Sequence, residues 1–290
     1  MPASDLHPDN NEKPASVPDP SDVILAVNIP PRPALFLALQ REIHKEVPDV
    51  KKIAELINRD VAMASRLLET SNSVFFNTKR HIISVQDAIA MMGMDQCAAV
   101  MTGLITKKSL GTGAMMMARF WDVSEKRAKG MSFLAKQLQI ANPELAYSFG
   151  LFCDIGIPLL KTTFPSYLET LAIANRLGDV NFLEVERHRH GLDHAYVGSI
   201  LAQQWAISED VVTAIRTHHD NESLYDDTIA IPARALVALN YVVEKAIQEF
   251  RGEGESHEWR EGGVVASEAL GISADDVEEL CEAIKGRLRA

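Results

Sequence analysis

The chain has 290 residues with 29 Lys and Arg against 40 Asp and Glu, a net charge of -11, and 47% of it is hydrophobic. That composition belongs to a globular protein of one or two domains and excludes fibrous and largely disordered classes. The acidity, with no Lys/Arg-rich run to offset it, excludes a phosphate backbone as a partner, so no nucleic acid is expected.

Three cysteines, Cys97, Cys153 and Cys281, are odd in number and far apart in apolar surroundings, which suits reduced, buried thiols and a cytoplasmic location. Residues 1–24 are mostly polar and rich in Pro, Asp and Asn, without the order of a signal peptide, and are expected to form a disordered arm. Charges or glycines interrupt every apolar run before the roughly 18 to 20 residues a membrane crossing needs, so no membrane is expected.

From Ile29-Pro30-Pro31-Arg32-Pro33 onward the texture is helical. Leu35, Leu39 and Ile43 recur at helical spacing over Ala34 to Val47. Asp49 and Asp60 are placed to cap two short helices carrying Ile53, Leu56 and Ile57, then Val61, Ala64 and Leu67. Ser84 with Asp87 makes a capping-box-like start, and Gly93 closes that helix. Further helices are predicted over Met94 to Leu110, ended by Gly111-Thr112-Gly113, and over Met115 to Ile140. Met115 to Met117 point in different directions on a helix and are expected to pack rather than bind a soft metal. Asn142-Pro143 begins the helix leading into Gly150-Leu-Phe-Cys153-Asp154-Ile-Gly156-Ile-Pro158.

Beyond it, helices are predicted over Phe164 to Leu177 (stopped by Gly178) and Phe182 to His190 (stopped by Gly191). Others are predicted over Ile231 to Phe250 and, capped by Ser273 with Asp276, through Val277, Leu280 and Ile284. Arg251 to Gly263 reads as a charged loop, and His188 and His190, flanking Arg189 before Gly191, read as surface residues at a helix C-terminus. No stretch alternates with period two, so the fold class is all-α.

An ordered set of these features resembles the HDOD family, the output domains related to metal-dependent HD hydrolases: Ile29 to Pro33, Ile57-Asn58-Arg59-Asp60, Leu67-Leu68, Asn72-Ser73, Ser84, Ala88-Ile89, Met92-Gly93, then Gly191 to His194 with Gly198 and Trp205, and Val211 to His219. The resemblance covers about residues 25–245 and implies an HD-domain/phosphodiesterase-like helical bundle (114–245) preceded by an N-terminal helical subdomain (25–113). Residues 246–290 are left as a C-terminal helical extension.

The resemblance also locates the chemistry. An HD hydrolase uses a histidine, an adjacent His-Asp pair and a distant aspartate to hold metal on one wall of a cavity. Those positions fall here on Val123, Cys153-Asp154 and Asn240, so three of the four ligands are altered. Valine binds no metal, and an asparagine carbonyl is an uncharged substitute. HD-GYP phosphodiesterases, more distant relatives, use further histidines at places resembling His194 and the pair His218-His219. Asp154, His194, His218 and His219 are therefore the candidate metal ligands, with Cys153 as a fifth donor, and the alternative is a metal-free hydrogen-bonded network of the same groups.

No Gly-x-Gly-x-x-Gly, P-loop, Cys-x-x-Cys, Gly-x-Ser-x-Gly or His-Glu-x-x-His motif offers other catalysis. The expectation is a non-catalytic bacterial signal-transduction protein that acts through a signalling protein partner and needs no cofactor. The alternative is a metal-dependent phosphohydrolase with one divalent ion, acting on a cyclic dinucleotide or another phosphoester.

Overall fold

Local capping sets where the first helices begin. In the computed structural model, which describes residues 23–76, 81–111, 115–177 and 182–289, the Asp49 carboxylate accepts from the amides of Lys51 and Lys52 at 2.9 and 3.1 Å. Asp60 does the same for Met63 at 3.2 Å. These caps start α2 (Val50–Asn58) and α3 (Val61–Ser71), which follow α1 (Ala34–Ile43). Ser84 Oγ accepts from the Asp87 amide and donates to its carboxylate, opening α4 (Val85–Met92). Asn72, from the family-like set, closes the intervening loop by pairing both its amide groups with the backbone of Ile82 at 2.8 Å.

The arm expected over 1–24 lies, as far as residue 22, outside the described residues, as do Thr112, Gly113 and Gly178 of the expected helix stops. Every regular element among the described residues is helical.

α1, α3 and α4 pack on α5 (Met94–Leu110), which lies against α7 (Pro143–Phe152), and α7 pairs along its length with α6 (Met115–Leu138). The α6–α7 approach is close because Gly150 has no side chain: a β-carbon there would lie 2.8 Å from the Ala128 Cα. The N-terminal part is pinned to the later half by Trp205, which is fully buried, donates from its indole nitrogen to the Pro30 carbonyl at 2.9 Å and packs on Phe36. The stiff Pro-rich entry is thus a docking strap for the indole.

The helix expected over Phe164 to Leu177 starts only at Tyr167, as α9 (Tyr167–Leu177), and a separate helix, α8 (Gly156–Thr163), precedes it. Pro165 is the reason: it forces the preceding Phe164 into extended backbone, φ -115° and ψ 112°. Then come α10 (Phe182–His190), α11 (His194–Gln204), α12 (Glu209–Thr217), a 3₁₀ turn (Asn221–Leu224) and α13 (Ile231–Phe250). α13 packs on α6, α12 and the two C-terminal helices. The expected boundary at residue 245 falls inside it.

The charged loop expected over Arg251 to Gly263 is corrected: from His257 it is helix, α14 (His257–Leu270), followed by α15 (Ala274–Arg289). Ser256 caps α14 by accepting from the Trp259 amide at 3.1 Å. Gly262-Gly263, which look like breakers, are packing residues. A β-carbon on Gly262 would lie 2.4 Å from the Tyr241 ring, so the glycine lets α14 lie directly against α13.

Candidate metal centre and its polar shell

Four turns and helix ends converge on one point. α7 ends at Phe152, and Asp154 occupies the turn before Gly156 starts α8. His194 is the first residue of α11, whose N-cap Asp193 accepts from the Tyr196 amide at 2.7 Å. His218 caps the C-terminus of α12, and His219 follows in the turn. Ligand atoms of Asp154, His194, His218 and His219 all lie within 4.8 Å of one another.

The second nitrogen of each imidazole decides what the first can do. His194 Nδ1 is 2.8 Å from a Glu186 carboxylate oxygen, His218 Nδ1 is 2.7 Å from the Ile215 carbonyl, and His219 Nδ1 meets the Glu258 carboxylate. Carboxylate and carbonyl oxygens only accept, so all three Nδ1 atoms carry the proton and donate. The three Nε2 atoms face inward. His194 Nε2 lies 3.0 Å from His219 Nε2 and 3.5 Å from Asp154 Oδ1, and His218 Nε2 lies 3.4 Å from the same oxygen. His218 Nε2 is buried and has no hydrogen-bond partner.

The other Asp154 oxygen faces a cation. Arg127 Nη2 donates to Asp154 Oδ2 at 2.7 Å, and its Nε donates to Glu244. Arg127 is buried on α6, one helical turn beyond Val123 and therefore on the same face. Val123, Arg127, Asp154, His194, His219 and Glu244 all line a cleft of about 760 Å³.

These contacts set the charges. Burial alone would raise the Asp154 pKa, yet Arg127 and then the adjacent imidazoles of His194 and His218 hold it well below the usual carboxylate range. Burial would lower His194, but Glu186 and Asp154 outweigh it and push the imidazole up to about 10. His218 is driven the other way, to about 4, by burial and then by His219. Contact with His219 holds the Glu258 carboxyl below the usual carboxylate range. Burial raises Glu244 more than Arg127 lowers it.

Without an ion, His194 is thus an imidazolium bridging Glu186 and the His219 and Asp154 acceptors. The same atoms also fit a metal. Ligands about 2.0–2.1 Å from a common ion lie roughly 3.3–4.2 Å apart, and the observed separations bracket that range. A histidine ligand ordinarily donates its far N–H to a carboxylate or carbonyl, as all three do here. The orphaned His218 Nε2 is the observation that a hydrogen-bonded network alone leaves unexplained.

The structure brings together Asp154, His194, His218 and His219 and leaves Cys153 aside. Its thiol is buried, and desolvation first, with the Asp154 charge second, pushes it well above the usual thiol range. Asn240 is buried on α13 with an unpartnered Oδ1. It lines a space of about 10 Å³ with His218, Glu244 and Glu258, about one water-sized sphere. His188 is exposed as expected, but His190 is not: it is buried, stacked on Phe164, with Nε2 2.7 Å from Thr170 Oγ1.

Sequence reasoning passed over Arg127, Glu186, Glu244 and Glu258. Arg127 had a signal, one turn after Val123 on a predicted helix. Glu258 had a weaker one, two residues after Ser256, a residue type that caps helices. Glu186 had none.

Residues 29–221, more than half of the chain, match the HDOD domain family. The chain belongs to the HDOD family. An uncharacterized protein of Treponema pallidum is 24% identical over 197 residues, covering 67% of this chain, which spans only 38% of that relative's length. Among solved structures, a candidate phosphohydrolase of Shewanella amazonensis superposes with TM-score 0.69 at 21% identity, covering 91% of this chain and 96% of the other. A candidate signal-transduction protein of Marinobacter aquaeolei gives 0.68 at 19%, covering 91% and 59%. At such identities the likeness establishes the HDOD fold. The family match ends before Asn240, Glu244 and Glu258, so part of the polar shell comes from beyond it. Among the described residues, no helix is long and apolar enough to cross a membrane.

Proposed function

We propose that this HDOD chain is a signal-transduction module that works by contacting another protein rather than by turnover. The observation that carries this reading is Arg127: its guanidinium takes one oxygen of Asp154 and a Glu244 oxygen. The wall that an HD hydrolase reserves for metal is thereby occupied by a fixed organic cation, beside a valine that offers no ligand. Half of the Asp154 carboxylate is committed to that pair. The likeness to a candidate signal-transduction protein supports the same reading at the level of fold. The test is turnover of bis(p-nitrophenyl) phosphate and of cyclic dinucleotides by purified protein supplied with Mn²⁺ or Zn²⁺. No hydrolysis above the metal-only rate is expected, and hydrolysis abolished by Asp154→Asn would overturn the reading.

A second reading is favoured by the convergent Nε2 atoms: Asp154, His194, His218 and His219 hold one divalent ion. Such an ion supplies Lewis-acid polarisation of a phosphoester oxygen. Around it, Glu186 and Glu258 fix the tautomers of His194 and His219, and Arg127 holds Asp154 and faces the cleft from which an anion would enter. Metal analysis separates the cases. One ion per chain, lost in His194→Ala and His218→Ala, supports the ion site whether or not turnover follows.

A further inference from the structure

The three acceptors that orient the imidazoles are not equivalent. Ile215 belongs to the same helix as His218. Glu186 is fully buried and is further held by the Tyr167 hydroxyl, while its Oε2 also accepts from the His194 amide at 2.9 Å. Glu258 alone comes from the C-terminal pair α14–α15, beyond the family match, and its side chain is 43% exposed. It lies in the first turn of α14, where the helix dipole favours a carboxylate whether or not His219 is present. Glu258 is therefore the one orienting group that can leave without unfolding the site.

Ser256 caps this turn through the Trp259 amide at 3.1 Å, and Lys245 stands over the Trp259 ring. Asn221 Nδ2 donates to the Glu261 carbonyl at 3.3 Å, and the Tyr225 hydroxyl donates to Glu268 at 3.0 Å. A cleft of about 560 Å³ opens beside it, bounded by Asn175, Phe182, His219, Gln248, Ser256 and Glu258. Water thus reaches the edge along which α14 meets the imidazole.

We propose that Glu258 links docking of the α14 N-terminal turn to occupancy of the ion site, so that an ion at His219 tightens the C-terminal helix pair and release loosens it. This rests on the ion-holding reading. When Glu258 departs, the His219 ring loses the acceptor that keeps Nδ1 protonated and Nε2 free. By reciprocity, the ion then strengthens the contact by the factor that the contact strengthens ion binding. The helix pair becomes the part of the chain through which the state of the core is displayed.

The experiment uses the full chain and Zn²⁺ as the probe. Affinity is measured by competition with a chromophoric chelator for wild type, Glu258→Gln, Glu258→Ala and His194→Ala, and amide hydrogen exchange over residues 256–263 is followed with and without Zn²⁺. Orienting carboxylates of this kind are worth about 10- to 100-fold in metal affinity. Glu258→Ala is expected to weaken binding by that much, with Glu258→Gln in between because its carbonyl still accepts. Zn²⁺ is expected to slow exchange over 256–263 in wild type and not in Glu258→Ala. Circular dichroism checks that both variants remain folded. Wild-type affinity in Glu258→Ala, or exchange indifferent to Zn²⁺ in a protein that binds one ion, overturns the linkage while leaving the ion site standing. A wild type that takes up no Zn²⁺ removes both.

Discussion

A β-carbon on Gly156 would lie 2.0 Å from the carbonyl oxygen of His194 and 2.8 Å from its Cα. The N-termini of α8 and α11 therefore meet backbone to backbone, which brings the Asp154 turn against the first residue of α11. Neither atom can rotate away, so Gly156→Ala must push the helices apart. Its cost is expected at or above the upper end of the ~1–3 kcal/mol typical of overpacking. Gly286, exposed in α15 with open space around it, is the control: Gly286→Ala is expected to stabilise by roughly 0.5–1 kcal/mol. Urea denaturation of the two variants checks the contrast, and equal midpoints would refute the close packing.

Arg127 compensates two carboxylates at once. Arg127→Met keeps most of the side-chain volume but leaves Asp154 with only the histidines and Glu244 without its cation. Breaking a buried pair in this way is expected to cost ~3–5 kcal/mol, measured by chemical denaturation at pH 7. Arg127→Lys should recover only part of this, because an ammonium cannot reach two carboxylates with the fixed fork of a guanidinium. A neutral effect of Arg127→Met would mean that the pair contributes nothing to the fold.

What the sequence made legible was local or inherited. Asp49, Asp60, Ser84, Asn142 and Ser273 announce helix starts because a cap bonds amides two or three residues away, and all five accept such bonds. Asp154, His194, His218 and His219 were found through the family resemblance, and they do meet. The helix that begins at His257 was missed because Gly262-Gly263 reads as a break, when the missing side chains serve contact with Tyr241 and Trp259. The partners that fix the chemistry were invisible for a different reason. Arg127 reaches Asp154 across 27 residues and His219 reaches Glu258 across 39, and no local period encodes which charged residue of a helix will face a distant turn.

Opposite shifts on neighbouring histidines predict an optimum in stability for the ion-free protein. The folded His194 pKa, about 10, is above the unfolded value of about 6.5, so the native state holds the extra proton between them. That contribution is full below pH 6.5 and is lost as pH rises toward 10. The folded His218 pKa, about 4, is below its unfolded value, so its contribution is present above pH 6.5 and is lost as pH falls toward 4. Urea midpoints in the presence of a chelator should therefore peak near pH 6.5. In His194→Gln the alkaline decline should flatten while the acid limb persists. An unchanged alkaline limb would show that His194 carries no extra proton.

If the four ligands take an ion, His194 must give up the proton on Nε2, because that atom cannot hold hydrogen and metal together. With the imidazole pushed up to about 10, it is protonated at neutral pH. Zn²⁺ binding at pH 7 is thus expected to release about one proton per ion, and the apparent affinity to rise about tenfold per pH unit between roughly 7 and 9. Calorimetry in two buffers of different ionisation enthalpy gives the proton count directly. In His194→Ala the released proton should vanish together with most of the affinity. Binding of one Zn²⁺ per wild-type chain with no proton released would place the ion away from His194 and return that residue to its role as a buried cation between Glu186 and Asp154.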